Sequence, residues 1–459
     1  WLGQGRHMQA PPWRFLLLLP LTAPSLAGQE GVLDLTHLPN YASQSVPAYI
    51  LRDNTPGVPN ANPISDAGAT LGRVLFYDKR LSRNATISCA SCHQQAHAFG
   101  DGAVASTGVA GQTGRHSMRL VNSRFSAERR FFWDERAASL EQQTTQPIQD
   151  HVEMGFSGTA GDPALADLVV RLSAIEEYRV LFDFAFGSTT IDETRIRRAL
   201  AQFVRSIQSF DSKYDAGRGQ VANNNDPFPN FTTQENNGKT LFATPPNLGG
   251  AGCAGCHRPP EFDIDPNSLN NGVVGVIAEG TDLTNTRSPS LRDLTRPDPA
   301  NPNGSPNGPF MHDGSLADLT DVIAHYIAPP DNTNLDPRLR RPPLNLSPAQ
   351  RANLVAFLRT LSGSALYTDP KWSDPFDADG RLGLIVLSQV TVERPAAGLL
   401  RLTSSAVPGL GYALEHSPDL SQWSVVTELS ADAEGRLTHE VDSGGARGFY
   451  RFTYTPPES

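Results

Sequence analysis

Cys89-Ala-Ser-Cys92-His93 and Cys253-Ala-Gly-Cys256-His257 use all four cysteines of the chain, and each is the C-x-x-C-H signature of covalent haem attachment. In that chemistry the two thiols add across the haem vinyl groups, and the adjacent histidine supplies one axial nitrogen to iron. Cys89, Cys92 and His93 are therefore expected to hold one haem c, and Cys253, Cys256 and His257 a second. A lone C-x-x-C is also a zinc half-site or a redox dithiol. Zinc, however, needs four converging ligands, and a redox dithiol needs no trailing histidine.

Haem held through thioethers is assembled outside the cytoplasm, which implies an export signal. After Met8, Trp13 and Arg14 lead into the apolar run Phe15-Leu16-Leu17-Leu18-Leu19, and Ser25-Leu26-Ala27 before Gly28 fits a cleavage site built of small residues. Residues 1–27 read as a signal peptide, with residues 1–7 upstream of the start. The run, interrupted by Pro20, is far shorter than the roughly 20 residues of a membrane span. The expectation is a periplasmic or secreted chain without a membrane span after cleavage; the alternative is an uncleaved signal used as an anchor. A net charge of -10 argues against a nucleic-acid partner and is compatible with docking a basic electron carrier. The 37 prolines and 39 glycines imply long ordered loops.

A weak repeat surrounds the motifs. Gly72-Arg73-Val74-Leu75-Phe76 precedes the first and Gly238-Lys239-Thr240-Leu241-Phe242 the second at nearly the same distance, as one duplicated fold requires. Asp192 caps a segment with Ile196, Leu200, Phe203, Val204, Ile207 and Phe210 at helical spacing; Arg195, Arg197, Arg198 and Arg205 read as its solvated basic face. Ser347-Pro348 opens a further helix carrying Leu354, Phe357, Leu358 and Leu361 on one face. From about residue 381, the short runs Leu399–Leu402, Tyr412–Glu415, Trp423–Val426 and Phe449–Phe452 are strand-like and separated by turns. The fold expected is mainly α, with two cytochrome c-type haem domains (28–220 and 221–366), a linker (367–380) and a small all-β, sandwich-like module (381–459) in an adhesive, sorting or structural role.

Further strings extend the match beyond haem binding. Phe131-Phe132-Trp133-Asp134-Glu135-Arg136, Leu140-Glu141-Gln142-Gln143, Pro147-Ile148, Val152-Glu153-Met154-Gly155, Arg287-Ser288-Pro289-Ser290-Leu291-Arg292 and Phe310-Met311-His312-Asp313-Gly314 stand in the order of the bacterial di-haem cytochrome c peroxidases. Over roughly residues 45 to 365 the chain resembles that family, including its MauG branch, which oxidises residues on another protein. The resemblance implies that His93 and His257 are the proximal iron ligands of a peroxidatic and an electron-transfer haem. It places Glu153 and Gln143 over the open face of the first haem, with Pro147 nearby, and Trp133 between the haems. A desolvated Glu153 would serve as the base for peroxide cleavage, and the indole as a carrier of oxidising equivalents.

Two departures from the peroxidase branch matter. Its members carry a capping histidine sixteen residues after the proximal one, and here that position is Val109, which cannot bind iron. His116 could replace it only in a rebuilt loop, and His97 is expected on the proximal side. An open, five-coordinate first haem needing no reductive activation follows. Second, the methionine expected fourteen residues after His312 is Tyr326, as in the MauG branch, with His325 and Met311 as rival ligands of the second iron. The resemblance also implies one calcium ion near the carbonyls of Asn307 and Pro309. His116 stands where an asparagine ligand is expected, and imidazole suits calcium poorly; waters or Asn122 are the substitutes. The reading is an oxidoreductase that uses hydrogen peroxide and acts on a small electron-donor protein, a cytochrome c or cupredoxin, or on a protein substrate. The alternative is a di-haem electron carrier without peroxide chemistry.

Overall fold

The computed structural model describes residues 31–277, 280–301, 303–388, 390–442 and 448–455, and the signal peptide expected over residues 1–27 lies outside them. Ten α-helices occur among the described residues: α1 (Asp66–Tyr77), α2 (Cys89–Cys92), α3 (Leu140–Thr144), α4 (Leu165–Ser173), α5 (Glu176–Phe186), α6 (Glu193–Ser206), α7 (Lys213–Arg218), α8 (Thr233–Ala243), α9 (Leu319–Ile327) and α10 (Pro348–Arg359). Only five of them exceed ten residues. The expectation of a mainly α fold is thus too coarse: a few helices form each scaffold, and ordered loops rich in glycine and proline carry most of the chain around the haem motifs. None of the helices is long and apolar enough to cross a membrane.

The helix starts follow side-chain chemistry. Ser65 accepts the Gly68 amide at 3.0 Å to open α1, and Asp192 accepts the Arg195 amide at 2.8 Å to open α6. Thr232 with Glu235 and Ser347 with Gln350 form capping boxes on α8 and α10, the latter with Pro348 in its first turn. The apolar stripe of α6 is buried through Ile196, Leu200, Phe203 and Val204, and that of α10 through Leu354, Phe357 and Leu358. The basic face of α6 departs from expectation at Arg205, which is 1 % exposed and forms two hydrogen bonds to Glu141 at 2.6 and 2.9 Å.

Helix α1 crosses α6, and α8 crosses α10, by the same contact. A Cβ built on Gly72 would stand 2.0 Å from the Ala199 carbonyl oxygen, and one on Gly238 1.9 Å from that of Asn353. Four residues along each partner helix, Phe203 and Phe357 close over the glycine. Phe76 then meets Phe203 at 5.1 Å between ring centroids, and Phe242 meets Phe357 at 5.2 Å. The weak sequence repeat is therefore a repeated backbone-to-backbone helix crossing, with one haem motif following each.

Short strands complete the halves: β1 (Val32–Asp34), β2 (His257–Arg258), β3 (Asp263–Ile264), β4 (Thr295–Arg296) and β5 (Ser305–Pro306). The C-terminal region is β-rich, with β6 (Gly383–Ile385), β7 (Thr391–Ala396), β8 (Leu399–Ser405), β9 (Gly411–Ser417), β10 (Ser424–Ser430), β11 (Arg436–Asp442) and β12 (Phe449–Tyr454). Strands β10-β9-β12 and β11-β8-β7 form two antiparallel three-stranded sheets, and β6 pairs in parallel with β1. Leu402, Tyr412, Leu414, Leu437 and Phe452 join the same apolar cluster as α1 and α6, while α8 and α10 anchor a second cluster. Segment 367–380 is docked on the first half: Tyr41 and Tyr77 donate to the Lys371 and Trp372 carbonyls at 2.5 and 2.6 Å, and Arg73 to that of Ser373 at 2.6 Å.

Gly72→Ala and Gly238→Ala each drive a methyl group into a carbonyl of the partner helix. Overpacking of this kind costs about 1–3 kcal/mol. Each variant should lower the thermal midpoint seen by far-ultraviolet circular dichroism by several degrees; unchanged midpoints would show that the helices cross with room to spare.

Candidate haem sites and the groups between them

The first motif is a single helical turn. His93 N–H donates to the Cys89 carbonyl at 2.9 Å, which places both thiols and the imidazole along one cavity of about 530 Å³ walled by Phe76, Leu140, Leu200 and Val204. The chain then turns through Ala98 and Phe99, both at positive φ, and brings the Phe99 carbonyl to His93 Nδ1 at 3.0 Å. That bond fixes the proton on Nδ1 and leaves Nε2 as the lone-pair donor, the usual preparation of a metal-binding histidine. Burial lowers the His93 pKa and pushes the Cys89 and Cys92 thiols up to about 12 and about 11, so all three groups are neutral.

The second motif is a 3₁₀ turn, Cys253–Gly255, entered through Gly252 at φ +70°. Cys253, Cys256 and His257 line a separate cavity of about 370 Å³ with Phe242, Leu319, Ile323 and Leu354. His257 Nδ1 is buried without a hydrogen-bond partner, and burial drives its pKa down to about 4. The two cavities are of ligand size. Each brings two thiols and one neutral imidazole to an apolar space, and the residues fit a covalently held haem in each. The thiol pairs line different cavities, and no cluster of three or more His, Cys, Asp or Glu side chains able to hold a metal ion occurs among the described residues.

Glu153, Gln143 and Pro147 line the first cavity with His93. Burial, with the charge of Asp150 beside it, raises the Glu153 carboxyl to about 7, against a smaller pull from Arg136. Gln143 lies on α3, which the Arg205–Glu141 pair pins to α6. Burial alone would raise the Glu141 pKa, but the Arg205 bonds hold it below the usual carboxylate range. Val109 N–H donates to the Glu153 carbonyl at 3.0 Å, and its side chain packs on Gly155. His116 lines both cavities, with Nδ1 2.9 Å from the Ala103 carbonyl. His97 lines neither cavity and contacts Arg296 at 2.9 Å.

Trp133 also lines both cavities. Its indole N–H donates to the His116 carbonyl at 2.8 Å, His116 N–H donates to the His312 carbonyl at 2.7 Å, and the His312 ring stands edge-on to the indole at 6.2 Å. The Trp133 carbonyl accepts the Thr286 and Arg287 amides at 3.0 Å each, so the indole is held from both halves. In the second cavity, the Asn271 amide donates to the Tyr326 hydroxyl at 3.1 Å and to the Met311 sulfur at 3.3 Å. Burial raises the Tyr326 phenol to about 12. His325 does not line the cavity; its Nε2 lies 2.9 Å from the Asn271 carbonyl.

Asn271, Arg205 and the buried Arg119 and Arg287, which line both cavities, were not legible as site residues in the sequence. Each is recognisable only once distant segments meet. Asn122 and Asn307, two of the residues expected around calcium, have partners within the protein. Asn122 uses its amide on the Ser209 carbonyl and N–H at 3.1 and 2.8 Å, Pro309 faces the second cavity, and the Asn307 carbonyl meets the Arg119 guanidinium. With histidine in the asparagine position and a buried guanidinium at the Asn307 carbonyl, the residues present fit a hard divalent ion poorly.

The family profile described as di-haem cytochrome c peroxidase matches residues 66–222, and that described as cytochrome c matches residues 235–362. The methylamine utilization protein MauG of Methylophilus methylotrophus is 33% identical over 321 residues, covering 67% of this chain and 86% of its own. Cytochrome-c peroxidase IdrP1 of Denitromonas iodatirespirans is 28% identical over 360 residues, covering 68% of this chain and 87% of its own. A crystal structure of a MauG-like protein associated with microbial copper homeostasis superposes with a TM-score of 0.58 at 30% identity, covering 72% of this chain and 99% of that one. With two haem motifs set in two matching scaffolds and these relatives beside it, the chain belongs to the di-haem cytochrome c peroxidase and MauG family of peroxidase-type oxidoreductases.

Proposed function

We propose that this protein uses hydrogen peroxide at the first haem site without prior reductive activation and passes the oxidising equivalents, by way of Trp133 and the second site, to a protein substrate in the MauG manner. Haem iron, when bound, supplies the centre that holds peroxide and takes up its oxidising power. The observation that carries the reading is Glu153, a carboxyl raised to about 7 in the wall of the His93 cavity, in a chain whose residue at the expected capping position is Val109. At that pKa the Glu153 carboxylate can accept the proton from one peroxide oxygen and return it to the other as water leaves. Gln143 orients the peroxide through its amide, and Pro147 keeps the wall beside it stiff. Trp133, fixed by hydrogen bonds from both halves, provides an oxidisable ring between the sites.

At the second site, Tyr326 is the iron ligand we favour; a phenolate donor stabilises the higher oxidation states. Asn271 aims the hydroxyl, and Met311 stands next to the same amide. The haem domains correspond to residues 28–220 and 221–366. We read the two C-terminal sheets as a sandwich-like module with an adhesive, sorting or structural role. Covalent haem and the leader-like residues 1–27 support export to the periplasm or beyond. Reduction of peroxide with electrons from a small cytochrome or cupredoxin is the second mode of the same site, and simple electron transfer is the reading from a different class.

The deciding experiment is electron paramagnetic resonance of the haem-loaded ferric protein before and after stoichiometric peroxide, with no reductant added. One high-spin and one low-spin signal, both lost together, are expected; two low-spin signals indifferent to peroxide would leave an electron carrier. The rate of that loss should fall as the pH drops through about 7, because protonated Glu153 can no longer accept a proton. Glu153→Gln should slow it roughly 10²–10⁴-fold and abolish the inflection; a retained inflection would move the base elsewhere. Tyr326→Phe should change the low-spin signal, whereas an unchanged signal would transfer ligation to Met311.

A further inference from the structure

Arg119 is 8 % exposed and lines both haem cavities. Its stem lies over Gly100, where a Cβ would stand 2.9 Å from Arg119 Cγ. Gly100 follows Phe99, whose carbonyl orients His93, so the arginine rests on the turn that sets the first proximal ligand. From there its guanidinium reaches the second half. Nη1 donates to the Asn307 carbonyl and Nη2 to the Ser290 carbonyl, each at 3.4 Å, and the Phe310 ring lies 5.8 Å away. Nε is buried with no partner. Asp293 acts on the guanidinium only through space, and no ion pair to Arg119 occurs among the described residues. Desolvation draws its pKa down to about 10, which leaves it charged at neutral pH.

A buried charge with two long carbonyl contacts, one aromatic ring and no ion pair is costly unless an anion completes it. The spaces it faces are those that receive the haems, and each haem brings two propionate carboxylates. The same guanidinium also lies at the Asn307 carbonyl, one of the two that a calcium ion would need, and like charges so close in a low-dielectric interior repel strongly.

We propose that Arg119 is the resident cation of this interdomain site: it stands in place of calcium, straps the His93 turn to the Ser290 and Asn307 segments, and presents one fixed positive charge to the carboxylates of both haems. A divalent ion can be lost to a chelator. This charge cannot. The coupling between the two haem sites is thus insensitive to calcium supply.

The test uses the holoprotein with both haems. After exposure to calcium and desalting it should hold less than stoichiometric calcium by plasma mass spectrometry, and a chelator should leave both ferric resonance signals and the thermal midpoint where they were. Arg119→Met should shift both ferric signals, and Arg119→Lys should bring them back toward their native positions. One tightly held calcium per chain whose removal moves the spectrum overturns the proposal, as does an Arg119→Met holoprotein with both signals unmoved. If Arg119→Met does not load haem, the calcium content and chelator response of the native holoprotein decide the question alone.

Discussion

Two glycines, Gly72 and Gly238, let helix backbones touch, and the rest of the molecule is arranged around those two contacts. A side chain at either position would collide with a carbonyl of the partner helix. Once α1 lies on α6, the tilted rings of Phe76 and Phe203 meet behind the crossing and the first Cys-x-x-Cys-His turn is delivered to one side of it; α8, α10, Phe242 and Phe357 do the same for the second. Interiors are close-packed, so such a crossing has little freedom to slide. The haem-bearing loops can be long and irregular because their ends start from fixed points.

Burial is the common cause of the chemistry at both sites. The same desolvation that keeps His93 and His257 neutral, and so able to donate a lone pair, raises Glu153 to about 7 and keeps the thiols protonated until they are used. Neutral imidazoles and a weakly acidic carboxyl are what the low-dielectric cavity dictates. The positive charges of Arg119 and Arg287 survive in the same environment because guanidinium is the hardest of the ordinary side-chain cations to deprotonate.

Local chemistry was legible in the sequence and tertiary closure was not. The haem motifs, the Asp192 and Ser347 caps and the strands around Leu399, Tyr412, Trp423 and Phe449 all depend on neighbours within a few residues, and each stands where the spacing places it. Arg205 shows the limit. It read as one of four solvated arginines, yet its partner Glu141 lies 64 residues away in the chain, and only folding turns that position inward. Asn271 looks like any loop asparagine until Tyr326 and Met311 arrive from segments 55 and 40 residues distant. Calcium shows the same limit: a family pattern names donor positions, and in this fold one of them, the Asn307 carbonyl, lies against Arg119 from elsewhere in the chain.

The docking of segment 367–380 on α1 makes the chain circular in a mechanical sense. Arg73 is joined to Ser373 across 300 residues and Tyr41 to Lys371 across 330, while β1 pairs with β6. Closing loops of that length is slow, because the entropy must be lost before the contacts form. The clasp of the N-terminal half is made of residues that follow both haem motifs in the chain. The core of the first half is therefore closed by contacts that wait until the chain beyond the second haem motif has folded back onto α1.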